Sequence, residues 1–110
     1  MSEDNTIWVE VRTNDSCMWR LKGDTYEGKP SLEEMQAVVG GSIEYLPLSY
    51  LASDIKAMVV NEEGVLNKLD PNQLASQQLS FGAGDTYIVG DALLKVNKEF
   101  VEKEYWFKEE

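Results

Sequence analysis

Carboxylates are the residues of this chain best suited to chemistry, because the other common catalytic and metal-binding side chains are nearly absent. The sequence contains no histidine and one cysteine, Cys17, which removes the usual general base and any clustered-cysteine zinc site. Glu62 and Glu63 are adjacent in a predicted turn and diverge in direction, so their spacing does not require an acid–base pair. No calcium-loop or phosphate-loop spacing occurs. We therefore expect no catalytic residues, no metal site, no cofactor and no enzymatic activity.

The charge balance indicates which partners the chain can bind. Of its 110 residues, 20 are Asp or Glu and 10 are Lys or Arg, which gives a formal net charge of −10. Proteins bind nucleic-acid backbones through Lys and Arg, so direct binding to DNA or RNA is disfavoured. The charge favours a partner with a basic surface, and it also serves solubility. The sequence does not decide between partner binding and solubility as the role of this charge.

Three polar residues near predicted strand and helix ends are candidates for binding a small ligand. They are Asn61, Glu62 and Asn72, and polar groups in such places can match the hydrogen-bonding pattern of a ligand. The alternative is that these residues serve turns and helix caps.

An aromatic stretch near the C-terminus is the candidate surface for a protein partner. Tyr105, Trp106 and Phe107 follow one another in an otherwise acidic segment, and buried aromatic residues are frequent anchors of protein interfaces. The alternative is that this segment docks on the core of its own chain, as apolar segments usually do.

The elements that must position these residues are short. Apolar residues in alternation or in short runs predict strands, at residues 6–12, 17–22, 42–48, 55–60 and 85–96. A capping box formed by Ser31 and Glu34 predicts a helix that ends at Gly40. Asp70 and Pro71 predict the start of a second helix. Charge pairs at helical spacing predict that the aromatic and acidic residues 97–110 form a C-terminal helix or tail.

These elements predict an α+β fold, a mostly antiparallel sheet with two short helices and a C-terminal helix. The length is that of one domain, which we assign to residues 1–110. The acidic N-terminus is unlike a signal peptide, and no apolar stretch approaches the roughly 18 residues that span a bilayer. We expect a cytoplasmic protein without membrane contact, and a homo-oligomer stays open.

Several short motifs follow one another in a fixed order between residues 31 and 95. They are SLEEMQ from Ser31, VGGSIE from Val39, LPL from Leu46, MVVNEEG from Met58, the segment from Leu69 to Asn72 followed by Ala75, and YIVGDAL from Tyr87. In this order they resemble an uncharacterised family of small domains, a domain of unknown function that recurs in bacteriophages and bacterial mobile elements. The resemblance implies a viral or mobile-element origin and a host-cytoplasm setting, and it implies no activity. The two strands predicted at residues 6–12 and 17–22, which are expected to form a hairpin, and residues 97–110 lie outside it.

The expected function is therefore non-catalytic binding. The leading hypothesis is a phage-type accessory protein that binds and occupies a basic host protein through its acidic, aromatic surface. In sharper versions it inhibits a host defence factor or mimics a nucleic-acid backbone, which requires the carboxylates to lie on one face. The alternative is sequestration of a small nucleotide-derived signalling molecule in a pocket, with positive charge from Arg12, Arg20, Lys22 or Lys56.

Overall fold

The computed structural model describes residues 6–15, 17–20, 28–100 and 107–109. Its strands, numbered along the chain, are β1 (Thr6–Val11), β2 (Met18–Arg20), β3 (Ile43–Tyr45), β4 (Ile55–Asn61), β5 (Ala92–Asn97) and β6 (Phe107–Glu109). They form one sheet in the order β3-β4-β5-β1-β2-β6. Neighbouring strands are antiparallel except β2 and β6, which are parallel. The predicted mostly antiparallel sheet is confirmed.

The first helix, α1 (Leu32–Val39), begins and ends where the sequence predicts. The Glu34 N–H donates to Ser31 Oγ at 3.1 Å, and the Ser31 N–H donates to the Glu34 carboxylate at 2.7 Å. These reciprocal bonds form the predicted capping box, which satisfies two backbone donors that lack partners within the helix. Gly40 ends the helix with a φ of 81°, a left-handed conformation that costs glycine little.

The second helix, α2 (Gln73–Ser76), begins later than predicted. Asp70 and Pro71 do not open it, because their backbone pairs with a distant segment. The Gly90 N–H donates to the Asp70 carbonyl at 2.7 Å, and Pro71 forms an antiparallel bridge with Val89. The N-cap is instead Asn72, whose side-chain oxygen accepts the Ala75 N–H.

Two predicted strands are shorter in the structure. The strand predicted over 42–48 is reduced to β3, because a 3₁₀ turn at Leu48–Tyr50 follows Pro47. The strand predicted over 85–96 is reduced to β5, because Gly90 adopts a φ of 78° and interrupts the extended path.

The α+β fold class is confirmed, and a third helical stretch begins at residue 98 directly after β5. The predicted C-terminal helix is confirmed at its start, but the far end of the helix or tail predicted over residues 97–110 is extended, since β6 pairs with β2. Phe107 therefore lies in an edge strand of the sheet. Tyr105 and Trp106 lie outside the described residues.

The sheet separates two apolar layers. On one face α1 packs against β4 and β5, with a core of Trp8, Met35, Val39, Val59 and Leu93. The connecting segments between β3 and β5 cover the other face and bury a larger core, which includes Met58, Val60, Leu74, Ile88 and Leu94. No helix within the described ranges is long and apolar enough to cross a membrane.

Candidate functional site

A cleft of about 230 Å³ opens at the β3–β4 end of the sheet. Its base is the larger core layer. One wall is the sheet itself, and the others are the start of the turn at residues 62–68 and the irregular segment at residues 86–89. The volume is somewhat below that of typical small-ligand pockets, which hold roughly 300–1,000 Å³. It therefore suits one side chain or a similarly small group.

The pairing register of β3 determines which of its side chains faces the cleft. Glu44 is directly opposite Val60 of β4, and paired residues in a sheet share a face. Val60 belongs to the larger core layer, which forms the base of the cleft. Tyr45 lies on the other face, where its hydroxyl is 3.8 Å from the Met35 sulfur in α1. Glu44 thus projects into the cleft from the sheet.

The cleft is acidic. Glu44 and Glu62 both line it, and both are exposed. The Glu62 N–H donates to the Ser42 carbonyl at 2.8 Å, which fixes the backbone of Glu62 where β4 ends. Among the described residues, none that line the cleft is Lys or Arg. Its electrostatic potential therefore attracts cations and repels anions.

Aromatic and aliphatic side chains complete the lining. Val60, Ile88 and Val89 are buried and make the base apolar. Tyr50 and Tyr87 stand at the walls, and Tyr87 is 57% exposed. A cation that enters such a site can contact an aromatic ring as well as the carboxylates, which adds roughly 0.5–2 kcal/mol when the ring is partly desolvated.

Asn61 lies at the edge of the cleft with its amide group already in use. It is 7% exposed. Its Nδ2 donates to the Val39 carbonyl at 3.0 Å, and its Oδ1 accepts the Glu63 N–H at 2.7 Å. Asn61 therefore joins the end of α1 to the turn that follows β4. These contacts agree with a role in the turn, which the sequence offered as the alternative to ligand binding.

Asn72 is separate from the cleft. It is fully buried and contributes to a shallow depression beside α2, which Tyr87 also lines. Its Nδ2 donates to the carbonyls of Val11 at 2.8 Å and of Gly90 at 2.9 Å, while its Oδ1 caps α2. Both amide hydrogens are thus occupied. Of the three predicted ligand contacts, the structure brings together Asn61 and Glu62.

Exposed apolar side chains lie in the segments that line the cleft and in the 3₁₀ turn that packs beside them. We call Leu48, Val65, Leu66 and Phe81 the apolar rim, and all four are exposed, Phe81 completely. Val65 lines the cleft itself, and Leu66 follows it in the turn. Leu48 begins the 3₁₀ turn that contains the wall residue Tyr50. Phe81 begins a second 3₁₀ turn, Phe81–Ala83, packed against the first.

Ser80 and Gly82 hold the two 3₁₀ turns together. Ser80 Oγ donates to the Ser49 carbonyl at 2.8 Å, and the Ser80 N–H donates to the Tyr50 carbonyl at 2.8 Å. Gly82 lies so close to the Ser49 carbonyl that a Cβ atom would overlap it. This close approach fixes the position of Phe81 relative to Leu48.

Sequence reasoning did not identify Tyr50, Tyr87 or the apolar rim. The available signal was weak: Leu48 follows Pro47, and Phe81 precedes Gly-Ala-Gly. Apolar residues in such turn sequences lie outside any strand or helix pattern, and they are therefore candidates for exposure. The predicted aromatic anchor Phe107 lies in β6, at the opposite edge of the sheet from β3.

Of the basic residues considered for phosphate binding, Arg12, Arg20 and Lys56 are described by the structure, and none of the three lines the cleft. The Arg12 guanidinium is 3.4 Å from the Glu10 carboxylate and stacks on the Trp19 ring at 4.1 Å. Lys56 is exposed, and its Nζ donates to the Ser53 carbonyl. Lys22 lies outside the described residues. In the described part of the chain, no three His, Cys, Asp or Glu residues form a group that could hold a metal ion.

Fold and cleft together define a small α+β domain with an open acidic cleft at one end of its sheet. The chain belongs to the family described as Domain of unknown function (DUF3846), whose model matches residues 20–102. The match begins within β2 and is wider than the resemblance seen over residues 31–95. No curated protein and no solved structure matches the chain significantly.

Proposed function

We propose that this chain is a non-catalytic binding protein that occupies a protein partner with a basic surface. The observation that carries the proposal is an acidic cleft with exposed apolar side chains in and beside the segments that line it. Large apolar side chains exposed around a concave site are typical of protein interfaces. The carboxylates would guide a basic partner to this surface, and the apolar rim would supply contact area.

The proposal includes a biological setting. The chain would be an accessory protein of a bacteriophage or mobile element, and it would act in the host cytoplasm on a host protein, for example a defence factor. The motif order from Ser31 to Leu93 motivates this setting. Exposed acids occur on both sides of the sheet, with Glu33 on α1 and Glu44 in the cleft. This distribution favours a local acidic site over mimicry of a nucleic-acid backbone.

The cleft lining bears on the second candidate function, sequestration of a nucleotide-derived signal. Phosphate groups require Lys, Arg or a cluster of backbone N–H groups. The part of the cleft that the structure describes offers two carboxylates and no basic side chain. A cationic partner is therefore favoured over a phosphate-bearing ligand.

Affinity capture with charge-matched variants tests the proposal. The double variant Glu44→Gln and Glu62→Gln removes two charges from the cleft. The control, Glu33→Gln and Glu99→Gln, removes two exposed charges elsewhere, so each variant changes the net charge from −10 to −8. The tagged wild-type chain is immobilised and exposed to a lysate of the cell that carries its gene.

We expect wild type and control to retain the same basic protein, and the cleft variant to lose most of it. Two exposed charge contacts at about 0.5–1 kcal/mol each correspond to roughly a 5- to 30-fold loss of affinity. Equal retention by all three proteins, or no specific retention by any, would refute the proposal. Thermal shift against a nucleotide panel tests the alternative function in parallel.

A further inference from the structure

The edge strand β3 has an open side. The Glu62 N–H donates to the Ser42 carbonyl, and the Leu46 N–H donates to the Met58 carbonyl. In an antiparallel ladder, alternate residues direct their backbone groups to the same neighbour. Ile43 and Tyr45 therefore direct their N–H and C=O groups away from β4. Within the described ranges, no strand pairs with this side of β3.

The two faces of the sheet differ in charge beside this edge. On the cleft face, a strand added to β3 would place one residue directly opposite Glu44, with Cβ atoms roughly 5 Å apart. A Lys or Arg at that position would reach the acidic cleft. On the α1 face, the Lys29 ammonium lies 5.6 Å from the centre of the Tyr45 ring. A second cation is unfavourable there, so an added strand should be basic on the cleft face alone.

We propose that the partner docks an extended segment as an additional strand on β3, with a cationic side chain in the cleft beside Glu44 and an uncharged residue on either side of it. This inference rests on the proposed function and specifies its docking mode. Charge complementarity identifies the occupant, since a second copy of this chain would bring two Glu44 carboxylates onto the same face of adjoining strands, where like charges repel.

The short length of β3 limits the number of backbone hydrogen bonds that an added strand can form with it. The strand has three residues, and Pro47 follows shortly after. Short edges next to proline pair weakly with other chains. Only the outward groups of Ile43 and Tyr45 are available to an added strand. Binding must therefore depend on both backbone pairing and the cation in the cleft, and the two contributions can be tested separately.

A seven-residue peptide of alternating Thr and Lys, acetylated and amidated, is the probe for this docking mode. It is titrated into the ¹⁵N-labelled full chain at low ionic strength. We expect the largest changes in amide chemical shift at Ile43, Glu44 and Tyr45. Hydrogen exchange should become slower at the amides of Ile43 and Tyr45. A peptide with Glu in place of Lys should bind at least tenfold more weakly.

Backbone methylation of the peptide tests the strand pairing directly. In an antiparallel added strand, the residues on the α1 face direct their N–H groups to β3, and those on the cleft face direct theirs outward. Methylation of the Thr nitrogens should therefore weaken binding at least tenfold, and methylation of the Lys nitrogens should change it little. The reverse pattern would indicate the same docking in parallel orientation. Equal effects of the two methylations would overturn the inference.

Variants of the chain supply an independent readout. Tyr45→Pro removes an outward N–H and no bond to β4, and proline is tolerated at such edge positions. Tyr45→Val keeps the N–H and is the matched control. Binding of the lysine peptide should be at least tenfold weaker for Tyr45→Pro than for Tyr45→Val. Amide spectra check that both variants are folded. The methylated peptides test the same strand pairing on the unaltered chain.

Failure of this inference can be told apart from failure of the proposed function. If lysate capture depends on Glu44 and Glu62 but the peptide experiments show no backbone contribution, the strand docking is wrong and the proposed function stands. If the unaltered chain is a dimer that Tyr45→Pro dissociates, a second copy occupies the edge and the inference is overturned.

Discussion

Replacement of Asn72 should cost far more stability than its position in a loop suggests. The residue is fully buried and joins three parts of the chain. Its Nδ2 holds the carbonyls of Val11 and Gly90, and its Oδ1 holds the Ala75 N–H. Alanine would leave all three backbone groups buried without this partner.

The expected loss follows from these three contacts. A hydrogen bond contributes about 1 kcal/mol net, and a buried group left without a partner costs about 1–3 kcal/mol. Three such groups give about 3 kcal/mol for Asn72→Ala as a lower value. With an m-value of about 1.5 kcal/mol per M in urea, the unfolding midpoint should fall by about 2 M. This is a large share of the roughly 5–15 kcal/mol that stabilises a typical domain.

Urea unfolding followed by tryptophan fluorescence and by circular dichroism measures this loss. Asn72→Asp is the informative companion, because a carboxylate can still accept the Ala75 N–H but cannot donate to the two carbonyls. It should destabilise the chain at least as much as alanine, since it also buries a charge. Asn67→Ala is the control, because Asn67 is exposed in the turn at residues 62–68. A loss below about 1 kcal/mol for Asn72→Ala would refute the assigned structural role.

Two further substitutions test local features of the fold. Ser31→Ala removes the capping box of α1 and should lower the free energy of unfolding by about 1 kcal/mol, whereas Ser31→Asp should retain most of it; equal losses would argue against the cap. Gly82→Ala places a methyl group against the Ser49 carbonyl and should cost about 1–3 kcal/mol, measured by thermal unfolding. A neutral Gly82→Ala would mean that the two 3₁₀ turns are not held as closely as the structure indicates.

Local signals account for the parts of the fold that the sequence predicts. The capping box needs Ser31 and Glu34, three residues apart, and Gly40 ends the same helix six residues after Glu34. Alternation of apolar residues identified β1, and a short apolar run over residues 55–60 identified β4. Each of these features is determined by neighbours in the sequence, so a pattern alone can identify it.

Non-local pairing accounts for the errors. Asp70 and Pro71 have the local chemistry of a helix start, but their backbone pairs with Val89 and Gly90. Phe107 follows helical charge pairs, but it lies in a strand beside β2. In both cases, partners about twenty or more residues away satisfy the backbone, and local propensity does not prevail over such tertiary contacts.

The residues of the candidate site also divide into those that a local sequence signal identifies and those that depend on non-local packing. Asn61 and Glu62 were identified because polar residues after a strand are a local signal, and both lie at the cleft. Tyr50 and Tyr87 were missed because nothing in their own neighbourhood distinguishes a residue at a cleft wall from a core residue. Their positions at the cleft depend on how the two 3₁₀ turns and residues 86–89 pack against the sheet.

Glu44 departs from the pattern of its own strand in a way that bears on function. It lies opposite Val60, on the face of the sheet that elsewhere carries the larger core, and such departures are expected mainly at functional sites. A charge on an edge strand also discourages pairing with other chains, and this role alone would account for Glu44. It does not account for Glu62, Tyr50 and Tyr87, which lie outside β3 and line the same cleft. Binding of a cation explains all four residues together, and for this reason we prefer it to edge protection.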